Sequence, residues 1–177
     1  DNRSPKKVYS YLLNQNKNLK VSAVIPPSLH VKNQIGETFP LAGISNSLTV
    51  YCNEIGQYMI YQSDRFGFNN PDFEWENKSY DLVLLGDSYT HGACINRPYD
   101  ITSVIRSNLN KSDLENKKNI LNLGYSGNGP LIVLATLKEY LNDVEFKNVI
   151  YLFTEENDLK NLNFEKQNKL LLNYINN

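Results

Sequence analysis

Residues 81–92, Asp81-Leu-Val-Leu-Leu-Gly-Asp-Ser-Tyr-Thr-His-Gly92, constrain the fold more than any other stretch of the chain. Four consecutive apolar residues, Leu82 to Leu85, read as a strand buried on both faces, the pattern of a parallel sheet. The run meets Gly86-Asp87-Ser88 with no spacer. A glycine there lets the backbone turn sharply, and Asp or Ser can cap the helix that follows. Such a turn lifts the Ser88 hydroxyl to the carboxyl end of the sheet, where open α/β folds place their sites.

From residue 81 onward, strand and helix patterns alternate. Residues 119–123 and 148–153 (NVIYLF) read as two further buried strands. Helices are predicted over 101–109, with Ile101, Val104, Ile105 and Leu109 on one face, over 131–141 after Pro130, and over 162–175. This alternation implies right-handed crossovers. It predicts an α/β fold of three layers, with 82–85, 119–123 and 148–153 as adjacent parallel strands.

The first 80 residues follow a different rhythm. Ser4-Pro5 suits a helix start, with Val8, Tyr11 and Leu12 at helical spacing to about Asn16. Pro26, Pro27, Pro40, Gly36 and Gly43 predict an ordered but irregular segment over 21–45. Residues 47–52 and 57–62 flank Asn53-Glu54-Ile55-Gly56 and predict a β-hairpin with a four-residue loop. Residues 63–72 are turn-rich. The expectation is a single domain over 1–177, with 1–80 as an accessory lead-in on an α/β core over 81–177.

Composition removes several function classes. The formal charge of −1 leaves no basic patch for nucleic acid. Hydrophobic residues at 41% and charged residues at 21% exclude a disordered chain. No apolar stretch approaches the roughly 18 residues of a transmembrane helix, so no membrane contact is expected within this segment. Asp1 in place of Met leaves room for a leader or anchor upstream. Cys52 and Cys94 lack metal-ligand spacing, and with only two histidines present no metal site is expected. Both cysteines are expected to be unpaired, buried thiols.

Each predicted core strand ends in compact polar residues: Gly86-Asp87-Ser88, then Gly124-Tyr125-Ser126-Gly127-Asn128-Gly129, then Thr154-Glu155-Glu156-Asn157-Asp158. Parallel strands bring these tips to one edge of the sheet. A hydroxyl, glycine amides and a carboxamide meeting there suit a nucleophile beside an oxyanion hole.

In order and placement the three segments resemble blocks I, II and III of the SGNH (GDSL) hydrolases. Block I is G-D-S. Block II carries a loop glycine, here Gly127. Block III is commonly G-x-N-D, here Glu155-Glu156-Asn157-Asp158, with the leading glycine absent. The lead-in, with C-N-E-x-G and Y-x-S-D-R-F-G-F-N-N-P-D, resembles the upstream part of a bacterial branch whose members often carry an N-terminal membrane anchor. The resemblance implies a flavodoxin-like sheet and an extracytoplasmic or membrane-anchored placement. It also implies an esterase activity that needs no cofactor and acts on a small ester or an acylated carbohydrate. Ser88 would be the nucleophile, with Gly127 and Asn157 in the oxyanion hole; Asp87 and Asp158 would brace the turns.

The family's general base lies in a D-x-x-H segment, which this sequence lacks. His91, one helical turn after Ser88, is expected to flank the pocket rather than act as base, and His30 to be structural. The expectation is therefore a hydrolase whose core is incomplete at its C-terminus. The alternative is a non-catalytic relative that binds a glycan or acyl group.

Overall fold

A computed structural model of the chain describes residues 1–15, 18–31, 38–113 and 115–176. The fold is mixed α/β, with parallel sheets and six α-helices among the described residues. Helix α1 (Pro5–Gln15) begins where Ser4 Oγ accepts from Lys7 N–H at 3.4 Å. Its expected end at Asn16 and the glycine at 36 lie outside the described residues. Strand β1 (Val21–Ala23) and a 3-10 turn at Pro27–His30 occupy the segment expected to be irregular. Strands β2 (Leu48–Val50) and β3 (Ile60–Gln62) form the expected hairpin, with Val50 opposite Ile60. That register is one residue beyond the one a four-residue loop would give. β1 pairs parallel to β2, which the sequence reading did not anticipate. A three-residue strand carries too few side chains for its period of two to stand out.

A second 3-10 turn (Asp72–Glu76) leads to β4 (Ser79–Tyr80) and then β5 (Leu82–Gly86). The rest of the chain supplies α2 (Ser88–His91), α3 (Ile101–Ser112), β6 (Ile120–Asn122), α4 (Pro130–Leu141), β7 (Glu145–Phe146), β8 (Val149–Leu152), α5 (Glu155–Glu165) and α6 (Lys169–Asn176). β4 and β7 form a short parallel pair at the foot of the main sheet. That sheet has the order β6-β5-β8, all parallel, with Leu82 opposite Ile120 and Val83 opposite Val149. Val83, Leu85, Leu121 and Leu123 face Val133 and Leu141 of α4, together with Phe68, Tyr80 and Tyr125. Leu82, Leu84 and Ile120 face Ile105 of α3 on the other side. Helices thus cover both faces, as the strand–helix alternation requires. Among the described residues no helix is long and apolar enough to cross a membrane.

Several expectations are corrected. β8 is not buried: Val149 and Ile150 are 38% and 43% exposed, because β5 is its only strand partner among the described residues. An apolar run reads the same in an edge strand as in a central one. On α3, Ile101, Val104 and Leu109 are exposed, and only Ile105 of the predicted face packs on the sheet. The helix instead turns Arg106 inward, 2.9 Å from the buried Glu74 carboxylate. The single helix predicted over 162–175 is two helices, α5 and α6, with the first starting at Glu155. Acidic side chains in the first turn of α5 suit its N-terminal dipole, and Asn168 Oδ1 starts α6 by accepting from Leu170 and Leu171 N–H. Cys52 and Cys94 are joined in a disulfide across a Cα–Cα distance of 5.1 Å. The end of the hairpin strand and the loop after α2 meet there, a proximity that 42 residues of separation conceal.

The lead-in is bonded to the core through polar side chains. Asp64, fully buried, accepts from Phe66 and Phe68 N–H, from Asn70 Nδ2 and from Trp75 Nε1. Asn70 then meets β6 as a neighbouring strand would: its Oδ1 accepts from Asn122 N–H (2.9 Å), and its Nδ2 donates to Asn122 O (2.8 Å). Two residues along, Ile120 N–H donates to Glu74, and Arg106 donates to Ile120 O at 2.7 Å. The outer edge of β6 is closed by side chains.

Candidate active site

β5 ends at Gly86, where the backbone turns into α2. Asp87 caps that helix, its Oδ1 accepting from Tyr89 N–H at 3.2 Å. Ser88 is the first helical residue and half-buried. Its backbone N–H has no protein acceptor among the described residues. The Asn157 side chain, in the first turn of α5, donates from Nδ2 to Asp87 Oδ2 at 2.6 Å. Ser88, Asp87 and Asn157 therefore line one open cleft of about 590 Å³ at the carboxyl edge of the sheet. Glu54 and Ile55 from the hairpin loop form part of its wall, as does Cys94.

Gly127 does not line that cleft. It sits in a turn at φ 79°, and a Cβ there would lie 2.7 Å from Pro26 Cβ and 2.9 Å from Ser28 Oγ. Close approach of the lead-in therefore requires a glycine at 127 whatever the chemistry. The Gly127 N–H, like that of Ser88, has no protein acceptor among the described residues. Asp158 is buried away from the cleft and accepts from Tyr151 OH (3.0 Å) and Thr154 N–H (2.8 Å), which fastens the start of α5 to β8. Burial holds its carboxyl above the usual range.

His91 does not flank the cleft either; it is sealed beneath the site with no exposed surface. Its ring is stacked between Tyr51 and Tyr125, each 4.6 Å away at 22°. Nε2 is bonded to Tyr61 OH (2.7 Å), and Nδ1 accepts from Ser126 N–H (3.2 Å). Burial pushes its pKa down to about 3, so the ring is neutral and both nitrogens are engaged. A base for Ser88 must be able to take its proton within hydrogen-bond reach, and this ring cannot. His30 lines a separate cavity with Ile25, Phe39 and Tyr125. Among the described residues no three His, Cys, Asp or Glu side chains gather in a group that could hold a metal ion.

Sequence reading missed two supports of the site. One is the set of three tyrosines around His91, scattered over 75 positions and bearing no motif. The other is Glu165, fully buried, whose carboxylate accepts from Gly129 N–H (2.7 Å) and Leu131 N–H (2.9 Å) at the start of α4. Burial pushes that carboxyl up to about 7. No local pattern announces a carboxylate that caps a helix from more than 30 residues away.

Gly124 sets how closely α2 packs on the end of β6. A Cβ at that position would lie 2.4 Å from Thr90 Cβ and 2.8 Å from His91 N. Relieving this requires moving the backbone that carries Ser88, so Gly124→Ala is expected to cost roughly 1–3 kcal/mol. Urea denaturation checks this, and an unchanged midpoint would show that the helix has slack.

No family model matches this chain, and neither a curated protein nor a solved structure does.

Proposed function

We propose that this chain is an SGNH-type (GDSL) serine ester hydrolase core on a flavodoxin-like sheet. Its substrates would be small esters, O-acetyl groups on carbohydrate among them. The observation that carries the reading is the Asn157–Asp87 bond, which joins the third strand-end segment to the Gly86-Asp87-Ser88 turn inside one cleft. With imidazole in solution as the base, Ser88 Oγ attacks the ester carbonyl, its proton passes to the imidazole and from there to the departing alcohol, and water then releases the acid from the acyl-enzyme. One Asn157 N–H is committed to Asp87 and the other remains for the oxyanion, alongside the unpartnered Ser88 N–H. Each donor aimed at the developing charge is worth roughly 3–4 kcal/mol. The Cys52–Cys94 disulfide supports an oxidising, extracytoplasmic compartment.

A second reading, a glycan- or acyl-binding relative without turnover, draws support from His91 being sealed and His30 lying in another cavity. One experiment separates the two. The cleft is open, so imidazole added to the solution can serve as the base. The hydrolase reading predicts weak hydrolysis of p-nitrophenyl acetate that rises with imidazole, and Ser88→Ala removes that increment. A rate identical in the protein and in Ser88→Ala at every imidazole concentration would favour the binding reading.

A further inference from the structure

We propose that His91 is a positioning residue that holds the Ser126–Gly127 loop against the Ser88 turn, as a neutral imidazole carrying its proton on Nε2. The inference rests on the reading of Ser88 above. A backbone N–H can only donate, so the contact from Ser126 N–H at 3.2 Å makes Nδ1 an acceptor. The ring proton is then on Nε2 and is donated to the Tyr61 oxygen at 2.7 Å. The ring orientation is fixed by Tyr51 and Tyr125 on its two faces and by Tyr61 edge-on at 5.4 Å. The backbone is held too, because Asn69 Nδ2 donates to His91 O at 3.0 Å. The last residue of α2 therefore ties together the lead-in hairpin, the nucleophile helix and the loop after β6. Fixing the Ser126 N–H limits how the next peptide, which carries the Gly127 N–H, can rotate.

A proton on Nδ1 would set N–H against N–H and release the loop. The titratable groups packed on the ring are the phenols of Tyr51, Tyr61 and Tyr125. Burial pushes all three up, Tyr51 and Tyr125 to about 12, so they stay neutral across the useful pH range. The charges acting on those phenols are Asp87 and Glu54 at Tyr51, and Asp64 and Arg97 at Tyr61. None of these is an acceptor bonded to Nδ1, which keeps the Ser126 N–H as its partner.

The test is nitrogen-15 NMR of the histidine side chains in the full chain, followed by two variants. His91 is expected to show a proton on Nε2 alone and no titration from pH 8 down to about 4. A proton on Nδ1, or a midpoint near the ordinary 6.5, overturns the proposal. His91→Phe keeps a ring between the tyrosines and loses the acceptor, while His91→Asn keeps an acceptor near the Nδ1 position. His91→Phe is expected to speed amide exchange at Ser126 and Gly127 and, with imidazole added as the base, to slow fluorophosphonate labelling of Ser88 roughly 10- to 100-fold, with partial recovery in His91→Asn. Parent-like exchange and labelling in His91→Phe overturns the proposal. If that variant does not fold, the NMR result on the parent protein decides. If the parent itself is never labelled at Ser88 even with imidazole added as the base, the hydrolase reading fails, and the side-chain NMR and amide-exchange measurements still decide the role of His91.

Discussion

The stability advantage of the protein over its His91→Phe variant is expected to shrink by about 4 kcal/mol as pH falls from 6.5 to 3. The folded state holds His91 at about 3, whereas the unfolded chain titrates it near 6.5. The unfolded chain therefore takes up the proton first. A depressed pKa of this kind supplies stability that is complete above 6.5 and is lost as pH falls towards the folded value. Glu165 works in the opposite direction. Its folded pKa of about 7 lies above the ordinary 4.5, so the unfolded chain ionises first. Its contribution, about 3 kcal/mol, is complete below 4.5 and is lost as pH rises to 7. Between 4.5 and 6.5 the two slopes oppose each other, so the parent curve conceals both. Urea unfolding of the parent, His91→Phe and Glu165→Gln across pH separates them. Burial also raises Asp64, Glu74 and Asp158, but those contributions are common to each pair and drop out of the difference. A parent-minus-variant difference that does not change with pH would show that His91 is not sealed.

Reduction of the Cys52–Cys94 disulfide is expected to cost about 4 kcal/mol, from the loop-closure entropy of a 42-residue separation. The effect should be largest near the candidate site, because Cys94 follows α2 directly and Cys52 leads into the Glu54–Ile55 part of the cleft wall. Thermal unfolding with and without reductant measures the global cost. Hydrogen exchange at residues 52–58 and 92–96 measures the local one. If reduction leaves both unchanged, the disulfide is a consequence of the fold rather than a support for it.

Local chemistry made much of this structure legible. Leu82 to Leu85 announced a central strand because both faces had to be apolar, and Asp87 capped α2 because few other residue types do so well. The convergence of Ser88 and Asn157 followed from parallel strands alone. The failures share one physical cause, which is contact across long sequence separations. Arg106 turned α3 away from its apolar stripe because the buried carboxylate of Glu74 needed a cation. The cysteines paired because a hairpin end and a post-helical loop met. Gly127 was expected at the oxyanion hole, and its lack of a side chain is already required by Pro26 and Ser28. A sequence carries no local signature of a partner a hundred residues away.

The side chains of Asn70, Glu74 and Arg106 along β6 give the sheet a direction of growth. One flank has its hydrogen-bonding groups already satisfied by a carboxamide and an ion pair, so an incoming strand finds no free partners there. The opposite flank, β8, presents half-exposed Val149 and Ile150 and no strand partner beyond β5 among the described residues. Among the described residues of this sheet, the β8 flank is the one on which a further strand can pair, and the β6 flank is closed to one.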